Sequence, residues 1–130
     1  MEIIFGESSS LGTVRVLDQN GDEWINGDFP YNTGNQIWGA PAVADIDKDG
    51  YLDFVVTSKN RSLYIFDRNG LKYEYPTSKY LMATPAIGNL DDDEELEIVV
   101  GGYSSSNEIY VINHDATDVS GFPFSLGEKT

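Results

Sequence analysis

The 130-residue chain contains no cysteine, so disulfides, thiolate metal sites and cysteine nucleophiles are excluded from the start. It has a single histidine, His114, around which any zinc site or histidine-based triad would have to be built. Basic residues are scarce, 8 against 22 acidic ones, giving a formal net charge of −14. Such a chain lacks the basic footprint that a phosphate backbone requires, and no nucleic-acid partner is expected. The same deficit disfavours anionic membrane surfaces. No apolar run approaches the roughly 18 residues of a membrane span, so no insertion is expected. Met1 is followed by Glu2 and an Ile-Ile-Phe run without a basic n-region, so no signal peptide is read there. Helical patterning is also missing: no segment keeps apolar residues at i, i+3, i+4, i+7 over three turns. Yet 40% of the residues are hydrophobic and 12% aromatic, too many for a disordered acidic tail.

What the chain does contain is a repeat. GAPAVADIDKDGYLDFVVTS (39–58) aligns without a gap on ATPAIGNLDDDEELEIVVGG (83–102). A second block recurs as TVRVLDQNG (13–21), SLYIFDRNG (62–70) and EIYVINHDA (108–116), and aromatic-proline pairs stand at Phe29-Pro30, Tyr75-Pro76 and Phe122-Pro123. Each unit reads as a small-apolar strand (41–44; 85–88), an acidic turn, a continuous apolar strand (54–57; 98–101), a polar loop and an alternating strand (63–67; 109–113). An Asn-Gly-type turn and a weaker strand reaching the aromatic-proline mark close it. Four short strands in about 46 residues is the period of a propeller blade. The expected fold is all-β, an incomplete ring of four-stranded antiparallel blades, with units near 1–38, 39–82 and 83–130. Glu2 to Gly6 aligns with Glu97 to Gly101, so the first unit is expected to lack its opening strand and acidic turn.

The acidic turns carry the chemistry. DIDKDGYLD (45–53) puts Asp45, Asp47, Asp49 and Asp53 at positions 1, 3, 5 and 9, with Gly50 at position 6 and the Tyr51 backbone carbonyl at position 7. Carboxylates packed this closely repel, each pair at about 4 Å by on the order of 4 kcal/mol at an effective dielectric near 20. A hard divalent cation cancels that repulsion, and an oxygen-only ligand set selects Ca2+ over zinc or copper. An EF-hand fits the first six positions and fails at the twelfth, where Val56 stands in place of a bidentate glutamate and a strand begins in place of a helix. The second turn, NLDDDEELE (89–97), keeps Asn89, Asp91, Asp93 and Glu97 at the same positions, with Glu95 at position 7. Glu94 replaces the glycine, so this site is expected to be weaker or differently shaped. The competing reading, that both turns are solvated acidic connections, is disfavoured by two copies with one ligand spacing. The two turns hold ten of the 22 acidic residues, so bound cations would account for much of the charge.

PAVADIDKDGYLDFVV and PAIGNLDDDEELEIVV resemble the FG-GAP (VCBS-type) repeats of calcium-binding β-propellers, including the integrin α-subunit head. The resemblance spans nearly the whole chain. It implies propeller blades with calcium in the loop between a blade's first and second strands, but no single activity: such propellers serve adhesion, carbohydrate recognition and packing beside catalytic domains. The leading expectation is a non-catalytic, calcium-stabilised module, extracellular or at the cell surface, that binds a protein or carbohydrate partner. The alternatives are the accessory propeller of a secreted enzyme (a polysaccharide lyase, glycosidase or peptidase) and a self-assembling piece whose copies associate as homo-oligomers to finish a ring. A glycosidase pair of carboxylates is the residual enzyme option.

Other residues read less sharply. Trp24 and Trp38 could line a ligand groove, but their alignment with Tyr73 and Met82 suggests core or inter-blade packing. His114 reads as part of a surface turn. The serine runs 8–10 and 104–106 read as flexible loop tips, and Asn60-Arg61-Ser62 satisfies a glycosylation sequon.

Overall fold

The computed structural model describes residues 2–103 and 108–127, and within them the chain is all-β. Strands β1 (Ile3–Gly6), β2 (Thr13–Leu17) and β3 (Tyr31–Asn32) form a three-stranded antiparallel sheet. β4 (Ala42–Ala44), β5 (Asp53–Ser58), β6 (Ser62–Asp67) and β7 (Gly70–Pro76) form a four-stranded sheet in chain order. β8 (Ala86–Gly88), β9 (Glu97–Gly101), β10 (Glu108–Ile112) and β11 (Phe124–Ser125) repeat that order. The up-and-down pairing of neighbours is that of propeller blades; the three sheets do not close a ring.

The alternation of side chains along the strands explains how the sheets stack. Phe54 and Val56 of β5, with Tyr64 and Phe66 of β6, point toward the first sheet, where they meet Val14, Val16, Phe29 and Ile37. Val55, Leu63 and Ile65 point the other way, onto Ile98, Val100, Tyr110 and Ile112 of the third sheet. The middle sheet is thus covered on both faces, and β5 is buried along its entire length. That is why Phe54, Val55 and Val56 follow one another as an apolar run at its centre rather than alternating with polar residues. Phe66 is fully buried and lies 5.1 Å from Phe54, 5.6 Å from Phe29 and 5.3 Å from Tyr31, ring centre to ring centre. Burial of such a side chain contributes about 2–3 kcal/mol. Ile37 and Leu81, one in each connection between sheets, plug the two junctions.

The aromatic-proline pairs are not equivalent in space. Pro76 ends β7 opposite Ser62, but the residues opposite the matching Thr13 and Glu108 are Asn32 and Ser125. Phe29-Pro30 and Phe122-Pro123, both with cis peptide bonds, therefore lie two residues earlier. The cause is chain length: the connections after β2 and β10 are longer than that after β6. Among the described residues their backbones pair with their sheets through the single bridges Leu17–Glu23 and Ile112–Asp118 before the short β3 and β11 form.

Candidate metal centre

Both acidic loops connect the first strand of a four-stranded sheet to its second. In loop 45–53 the backbone turns through the left-handed region at Lys48 (φ 60°) and Gly50 (φ 93°), the latter a conformation that glycine adopts without a steric penalty. The bend aims backbone N–H groups at the acidic side chains. Gly50 donates to Asp45 Oδ2 (3.1 Å), Asp49 to Asp47 Oδ1 (3.3 Å) and Tyr51 to Asp49 Oδ1 (2.8 Å). Carboxylate oxygens of Asp45, Asp47 and Asp49 all lie within 4.8 Å of one another. Asp45 Oδ1 is buried and has no hydrogen-bond partner, an arrangement that is costly unless a cation or water occupies the space before it.

Asp53, at the mouth of β5 and buried, stands apart from that trio. Its Oδ2 accepts the Ile46 N–H (3.1 Å) and its Oδ1 accepts from Lys72 Nζ (3.1 Å). The same ammonium donates to Asp47 Oδ2 at 2.6 Å. Lys72 comes from β7, beside the register shift at Ile65/Phe66, and supplies the loop with an internal positive charge. Its hydrogen bond holds the Asp47 carboxyl below the usual range, while burial pushes that of Asp53 up against the opposing pull of Lys72 and the Ile46 N–H. Burial alone would lower the lysine pKa, but the bonds to Asp47 and Asp53 outweigh it and hold the ammonium above the ordinary lysine value. Sequence reasoning missed Lys72, although it is a lone lysine in an otherwise aromatic and acidic strand.

Loop 89–97 keeps the spacing with a different backbone. Glu97 Oε2 accepts the Leu90 N–H (2.6 Å) and Asp91 Oδ1 accepts the Asp93 N–H (3.0 Å), the counterparts of two bonds in the first loop. Positive φ is absent at both Asp92 and Glu94, so the glycine bend is not retained and Glu94 bears no left-handed strain. Here oxygens of Asp91, Asp93 and Glu97 cluster within 4.8 Å. Asn89 turns its Nδ2 onto the Asp93 carbonyl (2.7 Å), and Glu95 is not part of the cluster. Loss of hydration, then the neighbouring Asp91 and the charges of Glu95 and Glu97, push the Asp93 carboxyl upward. The loops touch: the Ile46 carbonyl accepts the Leu96 N–H at 2.8 Å.

Both donor sets consist of hard oxygens, and together with the orphaned Asp45 Oδ1 they fit a divalent cation of the calcium type. The Tyr51 ring points away from the loop, with the Arg68 guanidinium 3.9 Å from its centre.

At the opposite end of the middle sheet, Trp38 is 57% exposed rather than core, because its indole lies over the surface beside Lys59 (5.6 Å) and donates to Gln36 Oε1 (3.2 Å). Tyr80 joins it, with Arg61 5.0 Å and Lys59 6.0 Å from its ring centre. Trp24 does pack against the first junction as expected. His114 lies half-buried in the turn after β10. The sequon reading fails on geometry: Asn60 Nδ2 is engaged by the Thr33 carbonyl (2.6 Å) and the Tyr64 hydroxyl (2.5 Å). Ser8, Ser9 and Ser10 are exposed, and 104–106 lie outside the described residues.

No curated protein matches the chain. Residues 1–56, which hold the whole first sheet, β4, the first acidic loop and the start of β5, match the family described as FG-GAP-like repeat.

Proposed function

We propose that this chain is a calcium-binding, non-catalytic propeller-repeat module that presents a surface for a protein or carbohydrate partner outside the cell. The observation that carries the calcium reading is the buried, unpartnered Asp45 Oδ1 beside Asp47 and Asp49, in a loop whose ligand spacing recurs at 89–97. Asp45, Asp47, Asp49 and Asp53, with the Tyr51 carbonyl, would hold one ion; Asn89, Asp91, Asp93, Glu97 and the Glu95 carbonyl would hold the other. The cation would neutralise the carboxylate repulsion and fasten the turn between two strands, which is a structural role. The exposed Trp38 and Tyr80 with Lys59 and Arg61 offer flat rings and positive charge in an acidic chain, a surface suited to a sugar or an acidic side chain.

An ion that binds only the folded state at a hundredfold excess over its Kd adds about 2.7 kcal/mol. Chelation is therefore expected to lower the melting temperature by several degrees, and Asp47→Ala to remove much of that response. Superimposable melting curves in calcium and in excess chelator would refute the calcium reading.

A further inference from the structure

Where the middle sheet ends farthest from its acidic loop, three segments converge: the β5–β6 turn (59–61) and the connections that carry Trp38 and Tyr80. The turn is pinned from both sides. The Lys59 N–H donates to the Gln36 carbonyl (2.9 Å), and the Arg61 carbonyl accepts the Thr77 N–H (2.7 Å). Arg61 is held in the left-handed region (φ 77°), a conformation that persists only where the surroundings enforce it. Tyr80 is tied in turn, its carbonyl accepting the Tyr103 N–H (2.8 Å). The charge placed here is unlike that of the rest of the chain. Arg15 is paired with Glu7 and Glu23, and Lys72 with Asp47 and Asp53. Lys59 and Arg61 have no carboxylate partner among the described residues and lie against aromatic rings instead. The Lys59 ammonium is within 6.0 Å of the centres of both the Trp38 and the Tyr80 ring. The other two copies of this turn, 7–12 and 103–107, carry three serines each and no basic residue.

We propose that this patch binds an acidic oligosaccharide, a short chain of uronic-acid units, with Trp38 and Tyr80 stacking on sugar faces and Lys59 and Arg61 taking a carboxylate. The proposal rests on the reading of the chain as a module with a protein or carbohydrate partner, and narrows it. A neutral sugar would leave the two cations without a counter-charge. An acidic peptide side chain would satisfy the cations but leave bare two flat rings, of which Trp38 is 57% and Tyr80 39% exposed. A uronic acid carries a flat C–H face and a carboxylate on one ring, so it answers both features at once. The aromatic rings supply apolar contact area, and the guanidinium and ammonium supply charge-assisted hydrogen bonds. A short ligand suits the surface better than a long polyanion, which the net charge of −14 would repel. Nothing in this site depends on whether the acidic loops hold a cation.

The test is a titration of the full chain with trigalacturonic acid, with its methyl ester and with an acetylated Glu-Gly-Glu-Gly-Glu peptide, followed by proton–nitrogen NMR. The reporters are the Trp38 indole N–H, identified by its loss in Trp38→Phe, and the backbone amides of 59–61. The acid is expected to give saturable shifts at these reporters. The ester keeps the rings and loses the charge, so it should bind about tenfold more weakly, the worth of one charge-assisted hydrogen bond. Arg61→Met should weaken the acid by a similar factor, and Trp38→Ala by at least as much. Arg68→Met removes an exposed cation at the other end of β6 and should leave the affinity unchanged. Arg61 and Trp38 are both exposed, thermal melting verifies that their variants stay folded, and the acid–ester comparison needs no variant. Equal affinity for acid and ester would overturn the proposal and leave a neutral-sugar partner standing. Tighter binding of the peptide at the same reporters would overturn it in favour of a protein partner. No saturable shift with either saccharide would overturn it together with the carbohydrate side of the wider reading. A loss in Arg68→Met equal to that in Arg61→Met would also overturn it, by showing that only overall charge is sensed.

Discussion

Loop 45–53 turns through positive φ at Lys48 and Gly50 and receives the Lys72 ammonium between Asp47 and Asp53; loop 89–97 does neither. Ligand spacing is the same in both, so spacing alone does not set the electrostatics. In the first loop part of the carboxylate charge is already compensated from within the fold, and an incoming cation has to displace or share that ammonium. In the second no ammonium among the described residues is seen bonded to the clustered carboxylates, and loss of hydration, then the neighbouring carboxylates, push the Asp93 carboxyl up. A shared ligand pattern can thus sit on two different balances of charge, one that includes an ammonium supplied by β7, three strands on from β4, and one without it.

Three measurements sharpen or break this contrast. The largest effect is expected from Asp53→Ala in chelator: it leaves Lys72 half-paired and the Ile46 N–H without its acceptor, a loss of about 3 kcal/mol. Glu97→Ala removes only the Leu90 bond and is expected to cost about 1–2 kcal/mol. Thermal or denaturant unfolding orders the two, and a larger loss at Glu97 would contradict the role given to Lys72.

Next in size is Lys72→Met. Without calcium it is expected to destabilise by about 1–2 kcal/mol, the worth of a charge-assisted pair of which both members are partly buried. With calcium in excess the loss should shrink, because the ion takes over the compensation, and the calcium-induced rise in Tm should exceed that of the unmodified protein. An unchanged calcium response would show that the ammonium and the ion do not compete.

The smallest effect is on pH dependence in chelator, where Asp47 and Asp93 should contribute with opposite signs. Asp47 is lowered by its bond to Lys72, so its contribution is present above the ordinary carboxylate pKa and is lost as pH falls through the shifted value. Asp93 is raised, so its contribution is present below the ordinary value and is lost as pH rises through the shifted one. Carboxyl-carbon NMR should find Asp47 titrating below, and Asp93 above, the normal aspartate range. The reverse order would break the comparison.

The strands around each acidic loop were legible because their apolar runs and Gly, Asn and Asp turns obey local rules. The aligned blocks 39–58 and 83–102 named Asp45, Asp47, Asp49 and Asp53 as one set and Asn89, Asp91, Asp93 and Glu97 as the other; of these, oxygens of Asp45, Asp47 and Asp49, and of Asp91, Asp93 and Glu97, cluster within 4.8 Å. What escaped was set by register and depth. Lys72 reaches the loop from β7, on the far side of β6, beside a register shift that no spacing rule announces. Asp53 and Glu97 looked alike as ninth ligands, yet only Glu97 faces its cluster, since Lys72 draws Asp53 aside. Trp38 was misjudged because its alignment partner Met82 says nothing about how far an indole projects beyond the shared backbone position. The aromatic-proline marks agreed in composition but not in space, because connection length shifted two of them by two residues.

The double-sided covering of β5 and β6 also bears on how the molecule opens. A sheet packed on both faces can become exposed only after one of its neighbours has left, so its backbone amides are the last to exchange with solvent. The first and third sheets each lean on the middle one through a single junction, and either can detach while the other remains closed. Opening is therefore expected to proceed in steps from the flanks inward, with the acidic loop at the entrance of β5 anchored to the part expected to open last, an order that native-state hydrogen exchange would read.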